Sequence, residues 1–163
     1  MKGLACELGP RPGDAMTAAP HNPTIHLTRT PTAEDFAAIF QPLDRETALV
    51  TGPCRIDPLA LLLRGDDGEI IGGLWGRIVY SWLVIEMLFV PATHRGMGAG
   101  TALIHAAEDA AILAGCVGLQ LTKLDFQAPG FYERLGFSTL AVQTDVPPGH
   151  RCFHLIKRLD AAS

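Results

Sequence analysis

The clearest signal along the chain is a change of hydrophobic period. From Trp82 to Val90 the residues are apolar with Glu86 as the one charge. Nine such residues read as a buried strand, far short of the roughly 20 that span a bilayer. From Ala99 to Ala114 the period becomes helical. Leu103, Ala107, Ala110 and Ala114 share a stripe flanked by Ile104 and Ala111, and Gly115 supplies the stop. Upstream, the runs Pro58–Arg64 and Glu69–Tyr80 surround Gly65-Asp66-Asp67-Gly68, a turn composition. With Trp82–Val90 they predict a three-stranded antiparallel meander. Downstream, Gly118–Leu124 predicts a strand, Ala128–Leu135 a short helix ended by Gly136, and Phe137–Thr144 and Cys152–Leu159 two further strands. Near the start, Thr24–Arg29 alternates as a short strand. Thr32, Glu34 and Asp35 before Phe36, Ala37, Ile39 and Phe40 predict a capped helix that Pro42 stops. The stretch Gln41–Pro58 gives no regular pattern. The predicted order is β, α, three β, α, β, α, β, β, an α/β (α+β) arrangement.

Composition narrows this to one domain. The chain has 163 residues, about one domain's worth. Its 48% hydrophobic content is globular, and its 18% charged content excludes a highly charged disordered protein. Residues 1–23 are rich in Gly, Pro and Ala and predict a disordered arm without the apolar core of a secretory signal; the folded domain is expected over residues 24–163. A net charge of −4 has the wrong sign for a protein that neutralises nucleic-acid phosphates. Cys6, Cys54, Cys116 and Cys152 show no metal or redox spacing and read as reduced thiols of a cytoplasmic protein. No membrane partner is expected. The exposed strands Gly72–Val79 and Cys152–Leu159 offer surfaces for a possible homodimer.

Gly96, Gly98 and Gly100 stand where the apolar strand becomes the best helix, with no Ser, Thr, Asp or Asn immediately before that helix. Uncapped amides, the positive end of a helix dipole and bare backbone suit a pyrophosphate, although the same glycines also serve a tight turn. A Walker loop is excluded because no Lys-Ser/Thr pair follows. A dinucleotide fingerprint fails because the third glycine comes one place early. The pattern Arg95-x-x-Gly98-x-Gly100 instead resembles the acyl-CoA-binding motif of the GNAT acetyltransferases. Phe131-Tyr132-Glu133-Arg134-Leu135-Gly136-Phe137 is similar to that family's second signature. Residues 127–132 and 147–150 look like a bacterial subgroup of unassigned substrate. The resemblance covers Thr24 to Leu159 and implies the GNAT fold: a mixed, mostly antiparallel sheet splayed at the fourth strand, with flanking helices.

The resemblance further implies an N-acetyltransferase that uses acetyl-CoA as acyl donor, requires no metal, and acts on a small-molecule or peptide amine. The alternative is an acyl-CoA-binding or sensing module with little turnover. Leu88, Phe89 and Val90 are expected to pair with pantetheine through their backbone. Arg95, Gly96, Met97, Gly98, Ala99, Gly100 and Thr101 are expected to hold the pyrophosphate. Tyr132 falls at the family's acid for the CoA sulfur, or else packs helix to sheet. Glu86, an isolated carboxylate expected to face the same side as Leu88, is the candidate general base, or else sits at a solvated strand edge. His150 is a second candidate for deprotonating the amine, or a surface histidine. The family often has Asn seven residues before its tyrosine; here Asp125 stands there, with Gln127 as a candidate substitute for the pantetheine contact. His150, Cys152 and His154 alternate on one strand face without an evident fourth ligand for zinc.

Overall fold

The computed structural model describes residues 23–128 and 130–159, in two compact units divided between Ile39 and Phe40. The expected N-terminal arm, apart from Pro23, lies outside the described residues. Helix α1 (Ala33–Thr51) opens with a reciprocal cap. Thr32 Oγ1 accepts from the Asp35 amide at 3.1 Å, and the Asp35 carboxylate accepts from the Thr32 amide at 2.9 Å. The bonds that the Thr32 amide and hydroxyl donate to the carboxylate hold the Asp35 pKa below its usual value.

Two expectations near the start need correction. The predicted stop at Pro42 does not occur, because α1 carries Pro42 inside it and continues to Thr51. A proline removes one amide donor and crowds the preceding turn, and the helix beyond it resumes with Thr47 and Thr51 hydroxyls donating to the carbonyls four residues back. The predicted strand Thr24–Arg29 is irregular. Alternation alone does not make a strand, and no neighbouring strand pairs with it among the described residues.

The second unit is a six-stranded sheet of β1 (Ile56–Arg64), β2 (Ile70–Val79), β3 (Trp82–Phe89), β4 (Gly118–Leu124), β5 (Ser138–Thr144) and β6 (Arg151–Arg158). Their spatial order is β1-β2-β3-β4-β6-β5. The meander β1–β2–β3 forms as predicted, and Pro58 is tolerated because β1 is an edge strand. Among the described strands only β3 and β4 run parallel, joined through helix α2 (Ala99–Leu113). The strands Gly72–Val79 and Cys152–Leu159, expected as dimer surfaces, correspond to β2 and β6, which have neighbours on both sides; among the described strands the free edges are β1 and β5.

Helix α2 packs across β1–β4. Its buried stripe is Leu103, Ile104, Ala107 and Ala111, so the face is rotated from the predicted Ala110 and Ala114 towards Ile104. Ala107 and Ala111 are fully buried, and their small side chains bring the helix close to the sheet. Opposite them lie Leu74 and Ile78 of β2, Leu83 and Ile85 of β3, Leu119 and Leu121 of β4, and Leu155 of β6. No helix among the described residues is long and apolar enough to cross a membrane.

Candidate active site

The parallel ladder between β3 and β4 is short. Trp82, Leu83, Val84 and Ile85 pair with Gly118, Leu119, Gln120 and Leu121, and the pairing stops there, although β3 continues to Phe89 and β4 to Leu124. Glu86 and Thr122 would be the next pair. Beyond them the strands part, and among the described residues the edge of β3 towards β4 has no strand partner from Glu86 to Phe89. This splay falls on the third of the six strands only because Thr24–Arg29 forms none.

At the top of the opening the chain leaves β3, makes a single 3-10 turn (Ala92–His94) and enters α2. Arg95 folds back so that its Nε donates to the Val90 carbonyl at 3.0 Å. Gly98 is the N-cap of α2, in the left-handed region at φ +88°, and it provides no side-chain cap. Gly96 is also left-handed at φ +75°. A Cβ at either glycine would meet nothing within 4 Å, so this backbone faces open space. Among the described residues, no amide from Gly96 to Thr101 donates to a turn or loop acceptor. Gly100 differs: a Cβ there would sit 3.2 Å from the Phe131 ring, so this glycine lets helix α3 (Phe131–Arg134) approach α2. Met97 is exposed, and Ala99 and Thr101 lie on the first turn of α2. This backbone fits an anionic group approaching the helix end.

Tyr132 projects from α3 and is buried, 8% exposed. Its ring meets Phe131 and Phe137 edge-on, with centroids 4.9 and 5.8 Å away. The hydroxyl makes no hydrogen bond to a described residue, and no described polar side-chain atom is sealed from solvent without a partner. The phenol oxygen therefore reaches open space while its ring is packed. Burial pushes the Tyr132 pKa up, so the phenol keeps its proton across the neutral range. Beneath α3, the nearly buried Lys123 pairs with Glu133 at 3.1 Å and tethers the helix to β4.

Glu86 departs from expectation in two respects. A bulge between Trp75 and Gly76 of β2 leaves Glu86 unpaired between Ile85 and Met87 and changes the alternation of β3. Leu88 packs on the core beneath α2, whereas Glu86 is exposed and bonds Arg77, a residue of the opposite sheet face, at 3.0 Å. Glu86 and Leu88 thus do not share a side, and the carboxylate is not isolated.

Asp125 and Gln127 are both engaged within their own neighbourhood. Gln127 Oε1 accepts from the Leu124 amide at 2.9 Å. The Asp125 carboxylate bonds His150 Nδ1 at 3.0 Å and accepts from the Arg151 amide at 3.1 Å. The His150 ring lies edge-on to Phe126 at 5.0 Å. His150 therefore belongs to a latch between the loop after β4 and the β5–β6 turn. Burial raises the Asp125 pKa, but the bonds from His150 and Arg151 outweigh it and the net shift is downward. A depressed native carboxyl stabilises above its unfolded value, about 3.9, and loses that contribution as pH falls through the native value. Asp125→Asn should accordingly lower Tm at neutral pH, with the gap to the native chain closing below about pH 4; thermal melts from neutral to acid pH check this, and a pH-independent gap contradicts it.

Sequence reasoning overlooked Gln120 and Thr122 and weighed His154 only as a metal ligand. All three lie on the sheet surface away from α2, and with Val84, Glu86 and Leu140 they line a cleft of about 480 Å³. The available signal was Gln120 and Thr122 alternating with Leu119 and Leu121.

Residues 26–137 match the model of the acetyltransferase (GNAT) family. The chain is a GNAT acetyltransferase. Its activity class is acyl-CoA-dependent N-acetyl transfer. The acetyltransferase is 45% identical over 96 residues to the blasticidin-S acetyltransferase of Streptomyces morookaense, covering 58% of this chain and 71% of that protein. It is 32% identical over 126 residues to an acetyltransferase of Agrobacterium fabrum, covering 77% of this chain and 92% of that one. The crystal structure of an acetyltransferase from Bacillus cereus superposes with a TM-score of 0.73 at 27% identity, covering 82% of this chain and 98% of the other.

Proposed function

We propose that this acetyltransferase moves an acetyl group from acetyl-CoA to the primary amine of a small molecule by direct attack, without a covalent enzyme intermediate. The observation that carries this reading is the parting of β3 and β4 beside an uncapped α2 N-terminus. The bound donor supplies an activated thioester carbonyl and a thiolate leaving group. The loop from Arg95 to Thr101 holds the pyrophosphate through the amides of Gly96 to Thr101, the Arg95 amide being given to the Ala92 carbonyl, with the positive end of the α2 dipole behind them. The unpaired edge of β3 at Leu88 and Phe89, with Val90, aligns the pantetheine arm as an added strand would. Tyr132, kept protonated by burial, gives its proton to the departing sulfur. Glu86, at the start of the opening and held by Arg77, takes the proton of the amine directly or through water. The likeness to an enzyme named for blasticidin S favours a small-molecule acceptor over a polypeptide. A cytoplasmic location fits the unpaired Cys54, Cys116 and Cys152. A second copy, if present, joins at the β1 or β5 edge.

Gly98→Val tests the donor site. Its left-handed backbone disfavours a branched side chain, and the new methyls would project into the space that the phosphates need. Acetyl-CoA affinity by calorimetry should fall about tenfold or more, roughly 1.4 kcal/mol. Unchanged affinity would place the pyrophosphate elsewhere.

A further inference from the structure

The cleft on the face of the sheet away from α2 has chemistry that specifies more than an unspecified amine. Gln120 and Thr122 alternate with buried Leu119, Leu121 and Lys123 on β4, so they point away from the core into the cleft. The register places Thr122 directly beside His154 of β6, and Gln120 beside Ile156. Glu86 faces Thr122 across the point where the β3–β4 ladder ends. One wall therefore offers a carboxylate at the place where the amine must arrive, and the other offers an amide, a hydroxyl and an imidazole. Val84 and Leu140 supply apolar contact.

We infer that this cleft is the acceptor subsite, that it takes a compact, hydrogen-bonding primary amine without a carboxylate, and that Gln120 and His154 are its specificity-determining residues. The assignment rests on the acetyl-transfer reading above. A volume of about 480 Å³ matches a small-molecule ligand. Among the described residues that line the cleft, Glu86 is the one formal charge, and none is Lys or Arg. Arg77, bonded to Glu86 at 3.0 Å, is already committed to that carboxylate. An acceptor carboxylate would lose water here without gaining a cationic partner, whereas hydroxyl, phenol or amine groups find donors and acceptors in Gln120, Thr122 and His154.

The test measures thiol release from acetyl-CoA with four acceptors: tyramine, cadaverine, 6-aminohexanoate and an alanine tetrapeptide. Tyramine and cadaverine should be used in preference to 6-aminohexanoate and the peptide. His154→Ala and Gln120→Ala should each raise the acceptor KM about fivefold, the loss of roughly one hydrogen bond, with acetyl-CoA affinity by calorimetry unchanged. Two variants from different strands guard against a folding defect in either. Preference for the peptide or the carboxylate, or wild-type acceptor KM in both variants, overturns the cleft assignment while acetyl transfer stands. Bound acetyl-CoA with no thiol release from any acceptor overturns the transfer reading, and the subsite with it.

Discussion

Tyr132→Phe should slow thiol release about 100-fold, the lower end of what a positioned acid contributes, while leaving acetyl-CoA affinity unchanged. The substitution removes a single oxygen. Phenylalanine keeps the edge-on contacts with Phe131 and Phe137, so α3 and the Gly100–Phe131 contact beside the Arg95–Thr101 loop persist. A hydroxyl there for packing alone would leave kcat near the wild-type value. The ring is buried, but the oxygen takes no partner among the described residues and is not sealed off. Steady-state kinetics beside donor calorimetry gives the distinction, since an acid lost from the transition state lowers kcat without changing binding.

Glu86→Gln has a comparable expected effect, a fall in kcat of about 100-fold if the carboxylate takes the amine proton. Glutamine preserves the length of the side chain and a bond to Arg77 but cannot accept a proton. Donor affinity should not move, because the Arg95–Thr101 loop proposed to hold the pyrophosphate lies beyond the far end of β3. An added small base such as imidazole should restore part of the rate. Wild-type kcat in this variant would reduce Glu86 to a surface partner of Arg77 and leave the proton to solvent.

How much of this was legible beforehand follows from the range of each interaction. The meander, the α2 helix and the turn between them rest on local period and on glycines within a few residues, and these formed where predicted. Tyr132 and the loop from Arg95 to Thr101 stand out as candidates in the sequence because short motifs carry them. The side to which Glu86 points was misjudged because simple alternation ignores a bulge, and the bulge depends on register with β2 across the ladder. The ion pair with Arg77 and the bond of Asp125 to His150, 25 residues apart, depend on strand pairing that no window of the sequence contains. The cleft is the extreme case. It needs β4, β6 and β5 to be neighbours in that order and β3 to part from β4 after four pairs. The long helix through Pro42 shows the opposite error, a strong local rule overridden.

The most direct measurement follows both products of the proposed reaction at once, with acetyl-CoA and a small amine such as tyramine: free CoA by thiol assay and acetylated amine by mass spectrometry. One acetyl group should appear on the amine for each thiol released, with no acetyl group retained on the protein, and Tyr132→Phe should suppress both products equally. Thiol release without an acetylated amine, or an acetyl group lodged on the enzyme, would contradict direct transfer through the opening between β3 and β4.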